Sequence, residues 1–184
     1  MAEAARLKLV MAKITSAAEA HMDRGKLNEQ LRQAAVLGAS EALHVLLARN
    51  ADADDADREG RTPLIEAAWR GYPGIVRALV KAGAKLDSRD ADGKNAVSWA
   101  AINGHAGVLS ELAAAGTSVD QPDREGFTPL MRAAWNGHLD AVRALVRAGA
   151  DRSARNRLDR NALDYARDQG NRSVLLALAG GKTQ

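Results

Sequence analysis

The stretch "FTPLMRAAWNGHLDAVRALVRAGAD", Phe127 to Asp151, is nearly repeated by "RTPLIEAAWRGYPGIVRALVKAGAK", Arg61 to Lys85. The two lie 66 residues apart, and halving that distance exposes a third, weaker copy between them. Gly60, Gly93 and Gly126 are spaced by 33, as are Gly71, Gly104, Gly137 and Gly170. Ala67, Ala100, Ala133 and Ala166 keep the same step, as do Leu46, Leu79, Leu112, Leu145 and Leu178, and Gly83, Gly116 and Gly149. A shared period of this length is the mark of a stacked array, in which each unit buries its apolar face against its neighbours.

Within each unit the residues carry local instructions. Thr62 and Thr128 are suited to cap a helix, and Pro63 and Pro129 to occupy its first position, where no N–H is needed. Gly71, Gly104, Gly137 and Gly170 end that helix in a left-handed conformation. Pro73 restarts the chain into a second helix, whose Val76, Leu79 and Val80 have helical spacing. Gly83, Gly116 and Gly149 end the second helix. The pairs Ala67–Ala68, Ala100–Ala101 and Ala133–Ala134 allow close helix approach, and "DREG" at 57–60 and 123–126 reads as a turn.

The period, with "TPLIEAA", "TPLMRAA", "NGH" and "AGA", resembles the ankyrin repeat, whose signature is T-P-L-H-x-A. The resemblance spans roughly residues 24–179. It implies an all-α repeat solenoid with short β-hairpin fingers: about five units (24–56, 57–89, 90–122, 123–155 and 156–179), with degenerate outer ones. Residues 1–23 place Leu7, Val10 and Ile14 on one helical face, so an extra N-terminal helix is expected there, either covering the first unit or binding a partner; 181–184 form a tail. One departure stands out. Where the family often has His after T-P-L, tying neighbouring fingers together, this chain has Ile65, Ser98, Met131 and Asp164. Looser fingers are expected.

Composition agrees with a packed helical array. Hydrophobic residues make up 46% and aromatics 3% of the 184 residues, with 16 Gly and 4 Pro. There is no cysteine, which excludes disulfides and thiolate metal sites. No apolar stretch is long enough for a membrane span, and Lys8 and Lys13 interrupt the only apolar run near the start, so a cytoplasmic protein is expected. The formal charge of +3 does not by itself imply nucleic acid.

Motifs for chemistry are missing. His105 and His138 share one repeat position and read as structural; His21 and His44 have no ligand partner at metal spacing. "DADDADRE" places Ala56 and Asp57 where a calcium loop needs an acidic or amide residue and then Gly. "GGKTQ" lacks the upstream glycine of a phosphate loop. No catalytic residue, metal or cofactor is expected.

Function should therefore reside in the variable positions of the concave face that the resemblance implies. On the fingers these are Arg58, Glu59 and Arg61; Ala91, Asp92 and Lys94; Arg124, Glu125 and Phe127. On the first helices they are Trp69 and Arg70; Ile102 and Asn103; Trp135 and Asn136. Trp and Arg are enriched in binding hot spots. Trp69, Ile102 and Trp135 are expected to form a ladder, one rung per unit, with Arg58, Arg61, Arg70 and Arg124 beside it. The expected partner is a protein whose apolar side chains are rimmed by acidic residues, bound by a monomer acting as an adaptor, inhibitor or immunity-type protein. Two readings stand for the Trp pair: binding hot spots, or packing against the adjacent unit. A structural spacer or self-associating scaffold is one alternative. Another is nucleic acid or an anionic surface, met through Arg143, Arg147, Arg152, Arg155, Arg157, Arg160, Arg167 and Arg172.

Overall fold

The structure, a computed structural model, describes residues 24–180. The helix expected over 1–23 and the tail at 181–184 lie outside the described residues. Among the described residues ten helices follow one another: α1 (Arg24–Leu37), α2 (Ser40–Ala48), α3 (Pro63–Arg70), α4 (Pro73–Lys81), α5 (Ala96–Ile102), α6 (Ala106–Ala114), α7 (Pro129–Trp135), α8 (Leu139–Arg147), α9 (Ala162–Asp168) and α10 (Arg172–Leu178). They form helix–turn–helix pairs. First helices α1, α3, α5, α7 and α9 pack side by side in one layer, and second helices α2, α4, α6, α8 and α10 in another.

The first helices start as their sequences dictate. Thr62 Oγ1 accepts from Ile65 N–H and Thr128 Oγ1 from Met131 N–H, both at 3.3 Å. Asn95 and Asn161 do the same for α5 and α9, and Asp164 completes a capping box with Asn161. The second helices α4, α6 and α8 start differently. Their N-cap residues Tyr72, His105 and His138 make no side-chain cap. The two histidines instead cross to the preceding pair, where Nε2 lies 2.9 Å from the Trp69 and Ile102 carbonyl oxygens respectively. Asn171, at the equivalent position, both caps α10 and donates to the Gly137 carbonyl.

These crossings explain the glycines at the helix ends. Gly71 and Gly104 have φ of 77°. A Cβ on Gly71 would lie 2.5 Å from His105 Nδ1, and one on Gly104 2.8 Å from the His138 ring. The position must be left-handed and must also have no side chain.

The core is thin and continuous. Ala34, Ala35, Ala67, Ala68, Ala100, Ala101, Ala133 and Ala134 are fully buried along the first-helix layer, and Leu46, Leu79, Leu112 and Leu145 behind them. Alanine pairs let neighbouring helices approach, so burial is shared by every pair rather than concentrated at one centre.

Among the described residues the fingers contain no β-strand. Each is a tight turn, closed by a backbone bond from Asp57, Asp90, Asp123 or Asn156 N–H to the carbonyl four residues on. Oδ1 of the same residue accepts the N–H groups of the second and fourth residues after it, as in Glu59 and Arg61 or Glu125 and Phe127. A side-chain oxygen thus takes the donors that a hairpin would satisfy with a second strand. Neighbouring fingers are joined directly, by Ala91 N–H to Glu59 O at 2.8 Å and Arg124 N–H to Asp92 O at 3.2 Å. Ile65 and Met131, where the family's histidine would stand, are buried in the core instead.

Candidate functional site: the finger and first-helix face

Residues on the fingers and on the exposed ends of the first helices form one face, because the period returns each to the same place on the next pair. Arg58, Glu59, Asp92, Arg124 and Glu125 are exposed at the finger tips. Arg61 is half-buried and sits within ion-pair reach of Asp57 (3.2 Å), Glu59 (3.4 Å) and the buried Glu66 (3.3 Å). Arg70 lies 3.7 Å from Glu66 on the other side. Lys94 is buried with its ammonium 3.0 Å from Asp92, and the hydrogen bond it donates holds that carboxyl below the usual carboxylate range. Glu125 pairs with Arg132 at 3.1 Å. Most charges inside the face are therefore already neutralised by the chain itself.

The aromatic residues form two groups. Trp69 stacks on Trp99 with ring centroids 4.9 Å apart and planes 26° from parallel. Trp135 stacks on Tyr165 at 5.2 Å and 8°, and Phe127 packs against both rings. Each stack joins a first helix to the next one, α3 to α5 and α7 to α9. Ile102, on the helix between, contributes its carbonyl, which accepts from His138 and from Asn136 Nδ2. Asn103 donates to the Trp99 carbonyl at 2.9 Å. Trp69 and Ile102 are half-buried, Phe127 is buried, and Trp135 remains 40% exposed.

Sequence reasoning passed over Trp99, Tyr165, Asp90, Asp123 and Arg132. Their signal was present in the period: 57, 90, 123 and 156 are Asp, Asp, Asp and Asn, and 66, 99, 132 and 165 face them nine residues on. Because residues at the later position differ in type (Glu, Trp, Arg, Tyr), a search for identity does not find them.

A model of the family described as ankyrin repeats (3 copies) matches residues 3–90 and 82–156. The chain belongs to the ankyrin-repeat family. The match begins inside the segment expected to form an extra N-terminal helix and stops before α9 and α10. No curated protein matches the chain. Ankyrin repeats are in general protein–protein interaction modules, and typically non-enzymatic. The rings of His105 and His138 are engaged with backbone of the preceding ankyrin unit. Among the described residues no helix is long and apolar enough to cross a membrane.

Of the eight arginines toward the C terminus, four are matched by acids. Arg143 lies 3.6 Å from Asp140, Arg155 3.7 Å from Asp159, and Arg167 3.7 Å from Asp164, while Arg160 pairs with Asp168. Arg147, Arg152, Arg157 and Arg172 make no ion pair among the described residues, and of these Arg157 belongs to a finger. It is exposed at the next finger tip, its Cγ against Gly126, just as the Arg124 Cγ approaches Gly93.

Proposed function

We propose that this ankyrin-repeat chain is a monomeric, non-enzymatic cytoplasmic binding module. It docks a protein partner on the concave finger and first-helix face, and by occupying that partner it serves as an adaptor or as an inhibitor of the immunity type. The observation that carries this reading is a row of arginines along the finger tips. Arg58, Arg124 and Arg157 are exposed and make no ion pair among the described residues, whereas Arg61, Lys94 and Arg132 just behind them are paired. Charge without an ion pair on the first, third and fourth fingers (the second has Ala91 there), together with a 40% exposed Trp135, is suited to a partner with acidic residues around an apolar patch. Docking on helices and short turns already packed together needs little rearrangement.

The test is a pull-down with mass spectrometry, comparing wild type with Arg58→Glu/Arg124→Glu/Arg157→Glu and with Trp135→Ala, all verified as folded by circular dichroism. One protein captured by wild type should fall by at least about tenfold in the charge-reversed variant, with a salt dependence that the variant has lost. Capture that survives both changes would place binding elsewhere on the chain. Sedimentation at rising concentration checks the monomer, and concentration-dependent assembly would favour a scaffold.

A further inference from the structure

Between the 57–61 and 90–94 fingers lies a cleft of about 280 Å³, lined by Trp69 and Trp99 with Glu59, Asp90, Asp92 and Arg61 around them. The four fingers are built alike, so they can be compared position by position. In the first, Asp57 meets the Arg61 guanidinium at 3.2 Å. In the third, Asp123 Oδ2 accepts from Arg132 Nε at 2.9 Å and Nη2 at 2.6 Å. That guanidinium also reaches Glu125 at 3.1 Å and lies 4.1 Å from the Phe127 ring centroid. In the fourth, the carboxylate is replaced by Asn156, whose amide donates to Tyr165 Oη at 2.6 Å.

The second finger alone keeps the carboxylate without the cation. Asp90 is buried, its Oδ1 taking the Asp92 and Lys94 N–H groups and its Oδ2 the Trp99 indole N–H at 2.6 Å. Trp99 stands where Arg132 stands in the third finger. Lys94 is engaged with Asp92, and Arg61 is shared among Asp57, Glu59 and Glu66. Around the cleft five carboxylates (Asp57, Glu59, Glu66, Asp90, Asp92) meet four cations (Arg61, Arg70, Lys94 and, acting on Asp92 at longer range, Arg124). Arg61 and Arg70 lie 5.2 and 5.6 Å from the Trp69 ring centroid and Lys94 5.3 Å from that of Trp99, so a further cation would share these rings with them. Arg58 and Arg124 stand at the tips outside direct ion-pair reach of Glu59 and Asp92, although Arg124 still helps to lower the Asp92 carboxyl.

We propose that this cleft receives an arginine side chain of the protein partner, its guanidinium between Glu59 and Asp92 and against the Trp69–Trp99 rings, above the Asp90 charge. The proposal rests on the protein-binding reading given above. The chain's own Arg132 site shows what such a pocket holds: two carboxylates, one aromatic face and one guanidinium. A planar guanidinium can meet two carboxylates and stack on a ring at once, which a compact ammonium does not do.

The three tryptophans supply the test. In protein labelled with 15N at the indoles, acetyl-Gly-Arg-Gly-amide is titrated to roughly 10 mM, where a weak single-side-chain contact becomes visible. Its citrulline and lysine counterparts are titrated alongside. The arginine peptide should shift the Trp69 and Trp99 signals and leave Trp135 in place, with the other two peptides weaker by roughly tenfold. Citrulline or lysine matching arginine, all three signals moving together, or no movement at all would overturn the proposal. Two variants complete it. Asp90→Asn/Trp99→Tyr copies the Asn156–Tyr165 pair and removes the buried charge without stranding a donor; Glu59→Gln/Asp92→Asn removes the two exposed charges of the rim while leaving amide oxygens to accept from Arg61 and Lys94. Both should weaken the effect on Trp69 by roughly tenfold, and unchanged binding in the rim variant would sink the assignment even if the first variant failed to fold. Failure here with partner capture still dependent on the tip arginines removes only the arginine pocket and leaves the docking face standing.

Discussion

Gly71 and His105 show how one position of the repeat serves two units at once. The glycine closes α3 in a left-handed turn, and the absence of its side chain lets the imidazole of the next unit reach the Trp69 carbonyl. Gly71→Ala should cost about 2 kcal/mol or more, from the left-handed backbone and from the clash together. His105→Ala should cost about 1 kcal/mol, the worth of an ordinary hydrogen bond. The double variant should cost less than the sum, because deleting the imidazole leaves room for the new methyl group. Urea denaturation of the four proteins measures this directly, and strict additivity would show that the ring and the glycine do not constrain one another. The glycine's left-handed turn was legible from its place after an Ala-Ala helix. The imidazole 2.5 Å from its missing Cβ was not, since it comes from a residue 34 positions away.

At the scale of helices, one exposed ion pair links neighbours α4 and α6 of the second layer. Arg77 on α4 forms a two-pronged bond to Glu111 on α6, with Nε donating to Oε2 at 3.0 Å. That bond lowers the Glu111 carboxyl below its ordinary range. A carboxyl depressed in the folded state contributes stability above its unfolded pKa and loses it as pH falls through the folded value. Wild type should therefore melt slightly above Glu111→Gln at neutral pH, and the gap should close on acidification through the carboxylate range. It should also narrow in salt, since both side chains are partly exposed. A gap that persists in acid would mean that the substitution acts through packing. The N-terminal caps at Thr62 and Thr128 could be read from sequence because capping is local. Neither the Arg77–Glu111 bridge nor the failure of His105 and His138 to cap their own helices could be, as each depends on the neighbouring unit.

As a whole the molecule is a line of units, each stabilised by the pairs on either side. The end pair α9–α10 has a neighbour on one side only among the described residues, and its link to α7 runs through the stack of Tyr165 on Trp135 and Phe127. Hydrogen exchange should therefore release the amides of α9 and α10 before those of α5 and α6. Tyr165→Ala removes ring contacts worth about 1 kcal/mol beyond their buried area. It should speed exchange in α9 and α10 while changing α3 and α4 little. Uniform acceleration along the chain would indicate a single cooperative body rather than a sum of neighbours. The same linear construction spreads the candidate site over several units, so its parts can be altered one at a time.

The sequence by itself determined the helical array, its period, its turns and the face on which variable residues gather, because caps, glycines and apolar spacing act within one unit and recur in every copy. The tertiary structure decided which charges are neutralised and which aromatic rings meet. Trp69 finds Trp99 and Trp135 finds Tyr165 across unit boundaries, Asp123 finds Arg132, and Asp90 finds only neutral N–H donors. The ring stacks join residues of different units, at a distance set only when the alanine faces close. The Asp90 and Asp123 pairings lie within one unit, nine residues apart, where the finger turn folds back on its own first helix and the residue type at the later position decides the partner.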